Sequence, residues 1–300
     1  MKRIIESVPN FSEGIREDVI RDIVDPIKDI PDVRILDLSS DKDHNRSVLT
    51  MAGNEGGLSK AVDLLFSQAI KHIDLTKHKG EHPRMGAIDV LPFIPIRNVT
   101  MEECVEFSKK IGQQIASKFG IPVYLYEKSA TLPERENLAN IRKGQFEGFF
   151  EKIRLPEWKP DFGFAEVHPT AGVVAVGARE FLIAFNINLG TDNIETASKI
   201  SKAIRHSSGG LRFVKAMGVM LEERKVAQVS INLTDFRKTS IFRVFEMVRQ
   251  EASRYGVNVI GSEIVGLIPN DALLDVAEYY LRIENFSYST VLENRLAEVE

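Results

Sequence analysis

The stretch FLIAFNINLGTDNIETASKISKAIRHSSGGLRFVKAMGVM, residues 181–220, changes its period twice. Phe181–Leu189 reads as a strand. Ile194–Arg205 has the spacing of an amphipathic helix and ends near His206 and the Gly209-Gly210 pair. Phe213–Met220 returns to strand, and Ala227–Leu233 follows as another. Ser240–Tyr255 reads as a helix capped by Thr239 or Ser240, Val257–Ile264 as a strand and Asp271–Leu281 as a helix. The order is βαββαβ plus one helix, the ferredoxin-like unit of an antiparallel sheet with helices on one face.

The same order stands upstream. Lys2–Val8 reads as a strand that stops at Pro9-Asn10. Glu17–Ile30 has helical spacing, with Pro26 predicting a kink or an early end. Val33–Leu38 and Asn45–Ala52 read as strands, and Gly56-Gly57 opens a helix over Leu58–His72. Ile88–Ile96 is a strand interrupted by Pro92 and Pro95, which predicts an edge or an irregular end. Met101–Phe119 reads as a helix and Val123–Tyr126 as a strand. The expected fold is therefore α+β, an α/β sandwich of two ferredoxin-like βαββαβ subdomains, residues 1–180 and 181–300, with a ligand cleft between them. The Pro- and Gly-bearing stretch from Pro156 to Gly177 reads as a linker that also carries function.

Composition narrows the class. The 300 residues carry 39 Lys+Arg against 43 Asp+Glu, a net charge of -4, with 43% hydrophobic and 27% charged residues. Collagen-like, low-complexity and disordered classes are excluded. A nearly balanced charge supplies no global field for nucleic acid. The single cysteine, Cys104, cannot form an internal disulfide, which fits a reducing cytoplasm. The apolar character of the N-terminus ends at Val8, short of a signal-peptide core, and no later run reaches the ~18 apolar residues of a membrane span. A soluble cytoplasmic protein without a membrane partner is expected.

Four polar segments call for chemistry. HIDLTKHKGEHPRMGAIDV, residues 72–90, gathers His72, His78, His82, Lys77, Lys79 and Arg84 in a loop broken by Gly80, Pro83 and Gly86. His82 suits a general acid/base. His78 and His82, spaced H-x3-H, also allow a metal, although Gly80 and Pro83 break a shared helical face; a solvated basic loop is the third reading. In VPNFSEG, residues 8–14, Asn10, Ser12 and Glu13 follow a strand, where a turn and helix cap alone would explain them. In DKDHNRSVLTMAG, residues 41–53, Asp43 and His44 suit a hairpin turn, whereas Arg46 alternates with core-type residues and is placed to fork a carboxylate. In DFGFAEVHPTAGVVAVGARE, residues 161–180, Gly163 and Gly172 bracket Phe164 and His168, a strip suited to stacking a heteroaromatic ring or to a plain connector. No GxGxxG or Walker loop is present.

Together these segments resemble the formiminotransferase family, folate-dependent transferases that in mammals are fused to a cyclodeaminase. The matching strings are VPNFSEG (8–14), HNRSV (44–48), HKGEHPRMGAIDVLPFIPI (78–96), PVYLYE (122–127), DFG (161–163), FLIAFNINL (181–189), AQVSINLTDF (227–236) and GSEIVGLIP (261–269). They run to about Asn285, and the expectation is a stand-alone transferase. The resemblance implies transfer of a formimino group from N-formimino-L-glutamate to tetrahydrofolate, giving 5-formiminotetrahydrofolate and glutamate, a step of histidine degradation, by a cytoplasmic homodimer. It implies that His82, in GEHPR, is the catalytic histidine. It implies folate binding by the Gly163–Gly172 segment, namely Gly163, Phe164, Ala165, Glu166, Val167, His168, Pro169, Thr170, Ala171 and Gly172; FAEVHPTA fills this segment differently from the fused enzyme.

The chemistry asks for one imidazole that takes a proton from the attacking folate N5 and gives one to the leaving nitrogen. It also asks for cations to hold glutamate carboxylates, for which Arg84, Lys79 and Arg46 are candidates, with Arg favoured for its planar fork. Asn10, Asp37 or Asp89 would orient His82 or the donor. Tetrahydrofolate is the co-substrate, and neither a metal nor a nucleic-acid partner is expected. Formyl transfer involving N-formylglutamate or 5-formyltetrahydrofolate is the alternative enzyme, a non-catalytic folate-binding protein the alternative class, and a metal-dependent hydrolase the reading that rests on His78 and His82.

Overall fold

The computed structural model describes residues 3–297, and Lys2 of the expected first strand lies outside them. The chain divides into two compact units between Arg179 and Glu180.

In the first unit the opening strand is split into β1 (Ile4–Ser7) and β2 (Asn10–Phe11). Helix α1 (Glu17–Val24) stops early, because Pro26 cannot donate to the preceding turn and instead starts a 3-10 turn over Asp25–Asp29. Hairpin β3 (Val33–Asp41) and β4 (Arg46–Gly53) follows. Helix α2 (Glu55–His72) begins before the Gly56-Gly57 pair, because the Asn54 side chain accepts from Gly57 N–H and caps it. Strand β5 (Ile88–Arg97) completes a βαββαβ unit in the order β3-β4-β1/β2-β5.

Three more helices and two more strands extend it. Helix α3 (Met101–Phe119) is bounded by a Thr100/Glu103 capping box and by Gly120 in the left-handed region. After β6 (Val123–Leu125) come α4 (Leu138–Arg142) and α5 (Gln145–Lys152), and then β7 (Val174–Ala178). Strand β7 inserts between β5 and β6, parallel to both. Two expectations are thereby corrected. The C-terminal part of Pro156–Gly177 is an interior strand rather than linker. Likewise β5 is interior, flanked by β1/β2 on one side and β7 on the other. Its prolines are tolerated locally. Pro92 falls where β1/β2 is interrupted, between the pairs Phe93–Ser7 and Val90–Asn10. Pro95 lies past the last pair with β7, Phe93–Ala178, where one neighbour remains.

The alternation of the strands decides which face is core. Ile5, Phe11, Leu49, Met51 and Phe93 turn towards the helices and join Leu58, Leu65, Phe66, Phe107 and Ile111 in one buried cluster. Each such side chain contributes about 1.5–3 kcal/mol. Residues of the opposite parity, Glu6, Asn10, Arg46, Val48 and Thr50, point to the other face.

The second unit repeats the order without the extension. Strand β8 (Ile183–Leu189), α6 (Ile194–Ile204), β9 (Val214–Leu221), β10 (Val226–Leu233), α7 (Ile241–Ser253), β11 (Val259–Val265) and α8 (Asn270–Leu281) give an antiparallel sheet β11-β8-β10-β9. Ser240 is the N-cap of α7, but no side-chain bond caps it; Thr239 Oγ1 donates to Arg212 C=O instead, at 2.5 Å. A second cluster, including Phe185, Ile187, Ile200, Val229 and Val244, forms this unit's core.

Candidate active site

The break at Val8-Pro9 returns Asn10 to the sheet opposite Val48 on one side and Val90 on the other. Leu49 and Met51 face the helices, so Arg46, two residues from Val48, shares Asn10's face. There the Arg46 guanidinium bridges two partners. Its Nη2 donates to Asn10 Oδ1, and its Nη1 to His82 Nε2. An arginine has only donors, so this contact makes Nε2 the acceptor and puts the ring proton on Nδ1. His82 Nδ1 and Arg46 Nε are both buried without a hydrogen-bond partner among the described residues. The trio is polar, convergent and unfinished, the condition of a site arranged for a ligand.

Electrostatics keep this imidazole neutral. Burial, then the charges of Arg46 and Arg142, lower the His82 pKa to about 4, with Asp89 and the Pro83 backbone opposing. This lies well below the ordinary imidazole range. Burial and the neighbouring Arg142 likewise lower Arg46 to about 10, so it remains a cation at neutral pH. His82 is therefore a free base facing a permanent positive charge.

The loop that carries His82 is fixed from beneath. Asn45 accepts from Gly14 N–H through Oδ1 and donates to Lys79 C=O through Nδ2, joining three loops. His78 Nε2 donates to Asn45 C=O at 2.9 Å, while its Nδ1 accepts from Arg84 Nε at 3.2 Å. Both nitrogens of His78 are thus engaged in holding the loop. The fork of Arg84, itself buried, closes on Glu147 at 2.7 and 2.9 Å and reaches Gln145 at 3.2 Å. Asp89 accepts from Met85 N–H at 2.8 Å and pairs with Arg142, which commits its carboxylate to the loop. Lys79 is exposed. Ser12 Oγ donates to Gly86 C=O, and Glu13 binds the backbone at Ile15 and Arg16, both structural tasks. No hydrogen bond joins Asp37 to His82 among the described residues; Asn10 and Arg46 meet the imidazole side of the sheet instead.

The 163–172 segment lies against the same loop. Gly86 and Gly172 form a bridge, Val173 N–H donates to Met85 C=O, and Ala87 N–H to Ala171 C=O. A Cβ on Gly86 would stand 2.1 Å from Val173 C=O, and one on Gly172, whose φ is +71°, would stand 2.2 Å from Met85 C=O. Thr170 C=O accepts from Leu75 N–H. His168 caps its own turn, Nδ1 accepting from Ala171 N–H at 3.0 Å, and burial lowers its pKa. Val167 and Ala171 are buried; Gly163, Ala165, Glu166 and Pro169 are exposed, and Phe164 is 87% exposed. Asp161, beside the segment, is clamped by Arg135 at 2.6 Å and by Leu125 N–H at 2.8 Å.

Two residues given no site role in the sequence reading complete the site: Asn45, quoted there as the start of a strand and within the HNRSV string and here the junction of the loops, and Arg142, which acts on His82 from α4. Asn45 takes a φ of +48°, which asparagine adopts more readily than most residues. Among the described residues no group of three or more His, Cys, Asp or Glu side chains is arranged to hold a metal ion, and no helix is long and apolar enough to cross a membrane.

Residues 4–179 match the formiminotransferase domain, N-terminal subdomain, and residues 184–298 match the formiminotransferase domain. The chain is 56% identical to a glutamate formimidoyltransferase of Streptococcus pyogenes serotype M1 over 99% of both chains. It is 47% identical to one of Thermoplasma acidophilum over 98% of this chain and 97% of that one. A formimidoyltransferase-cyclodeaminase of Rattus norvegicus is 44% identical over 93% of this chain, which spans 53% of that relative. The His82 loop and its Arg46 partner lie inside the first matched region, and with both units matched the chain belongs to the formiminotransferase family.

Proposed function

We propose that this protein transfers the formimino group of N-formimino-L-glutamate to N5 of tetrahydrofolate, giving 5-formiminotetrahydrofolate and L-glutamate. The observation that carries the reading is the neutral imidazole of His82 facing the Arg46 guanidinium, with Asn10 as the third corner. A donor carboxylate competes for Arg46 and draws it from Nε2, so donor binding itself frees the base. N5 then attacks the amidine carbon, and its proton passes to His82 Nε2. The tetrahedral intermediate collapses as the bond from carbon to the glutamate nitrogen breaks, and His82 returns that proton to the leaving nitrogen. One imidazole serves both transfers, and the mechanism calls on no metal.

Folate stacks on Phe164, the exposed aromatic of the 163–172 segment, beside the His82 loop. Arg46 holds a donor carboxylate, with Lys79 at the rim; Arg84, spent on Glu147, supports the loop. The buried thiol of Cys104 fits a cytoplasmic enzyme.

A transfer assay with tetrahydrofolate and both N-formimino- and N-formylglutamate tests the reaction, and turnover confined to the formyl donor would replace it. His82→Ala is expected to lower kcat by roughly 10²–10⁴-fold with folding and folate affinity retained. Because the base form is lost only as pH falls through about 4, wild-type kcat/KM should stay level down to pH ~5 and drop below it. Wild-type turnover in His82→Ala would remove the imidazole from the mechanism.

A further inference from the structure

Lys152, the last residue of α5, has no part in the transfer chemistry. It is half-buried, and among the described residues no carboxylate pairs with it. Its Nζ donates instead to three carbonyls, Asn140 at 3.0 Å, Ile141 at 2.7 Å and Lys143 at 3.1 Å, which engages every donor an ammonium has. The ammonium also stands 3.7 Å from the ring centre of Trp158 and 4.9 Å from that of Phe149, so two aromatic faces hold it in place.

The three carbonyls lie on both sides of Arg142. Helix α4 has 5 residues, too few to sustain itself, and its C-terminal carbonyls have no partners within the helix. Asn137 caps its start and Ile141 is buried in the core, but these leave the end of the helix free to turn. Lys152 removes that freedom and sets the direction in which Arg142 leaves the backbone.

From Arg142 the contacts run back to the site. Its Nε donates to Asp89 Oδ2 at 2.8 Å, its Nη2 pairs with the same oxygen, and Asp89 Oδ1 accepts from Met85 N–H at 2.8 Å. Asp89 is 2% exposed, so the cation paired with it decides where that carboxylate sits. Helix α5 is tied to the same loop separately, because Glu147 holds the fork of Arg84 and Phe146 N–H donates to Arg84 C=O at 2.9 Å. The links close a ring: the His82 loop, Arg84, α5, Lys152, α4, Arg142, Asp89 and the loop again. Lys152 is the link that joins the two arms.

We propose that Lys152 is a positioning residue for His82: by fixing the end of α4 it aims Arg142 at Asp89, and so holds the loop in which the imidazole meets Arg46. The proposal rests on His82 being the base of the proposed transfer. No hydrogen bond joins Lys152 to His82, Arg46 or Asn10 among the described residues, so its loss reaches catalysis through Arg142.

A double-mutant cycle tests it. Lys152→Met keeps the apolar stem against Trp158 and removes the donors. It should lower kcat about tenfold, with both KM values within about threefold of wild type. Arg142→Gln, which keeps one donor for Asp89, should lower kcat at least as much. Because both act along one line, the double variant should be no slower than Arg142→Gln alone, to within about twofold. Losses that multiply in the double variant would mean that Lys152 acts apart from Arg142, and would overturn the proposal. A Lys152→Met enzyme that melts lower yet turns over as wild type does would overturn it too, since a purely structural lysine gives that result. Lys152→Gln, which retains an amide donor, serves the same cycle should Lys152→Met fail to fold. A second readout needs no turnover. The imidazole C–H resonance of His82, assigned by its loss in His82→Ala, should shift in both Lys152→Met and Arg142→Gln, and an unmoved resonance in Lys152→Met would sink the idea. A wild type that does not transfer the formimino group would overturn the reaction, and the hold of Lys152 on the loop would then be read from this resonance alone.

Discussion

Arg46, at the start of β4, and Arg84, in the loop before β5, show how two arginines take different work from the company they keep. Both read as carboxylate forks in the sequence, and nothing in the residue type separates them. Arg84 meets Glu147, Gln145 and His78, whereas the side-chain hydrogen bonds of Arg46 among the described residues go to an amide and an imidazole. Replacing Arg46 by Lys removes a planar fork that holds two partners at once, and should cost about 1.5–3 kcal/mol of transition-state stabilisation, read as kcat/KM. Arg84→Lys should leave both KM values near wild type and lower stability by about 1 kcal/mol or less, because Glu147 is largely solvated. Equal kinetic damage from the two substitutions would show that the carboxylate role is shared. His82 stood out in the sequence as a candidate because a titratable ring falls in a loop broken by Gly and Pro. Arg142 did not, because one cation on a short helix looks like any other until the fold brings it beside Asp89.

At the scale of the element, the helices and strands of both βαββαβ units were legible because alternation and helical spacing survive where one face is buried. Strand β7 escaped for the opposite reason. VVAVGA is buried throughout and parallel to both neighbours, so it has no polar face to alternate with, and its glycine and alanines read as connector. The join between this strand and the His82 loop is also where close approach is most exacting. At Gly86 any side chain must move a backbone carbonyl. Gly86→Ala should therefore cost on the order of 3 kcal/mol, at the upper end of overpacking, and reduce kcat as well, since the displaced segment carries Met85 and the loop above it. Chemical denaturation beside a turnover assay would check both. A variant as stable as wild type would mean that the bridge to Gly172 yields more easily than its geometry indicates.

For the whole molecule, repetition of element order was enough to expect two α+β units, and two separate cores bear that out. Of the two added strands of the first unit, β6 was read as Val123–Tyr126, and β7 was hidden because the repeat extends only as far as β5. Their topology also sets a timetable for synthesis. Among the described strands β6 pairs with β7 alone, and β5 receives its second neighbour from β7, yet the chain between Leu125 and Val174 must be made first. At ~5–20 residues per second that interval is on the order of 3–10 s. Throughout it the nascent chain presents the open edge of β5, Val90 to Phe93, an apolar row that later becomes sheet interior. Chaperone occupancy on translating ribosomes should therefore rise once β5 has left the exit tunnel and fall when Ala178 emerges, and a flat profile across that window would show that the edge is shielded by other means.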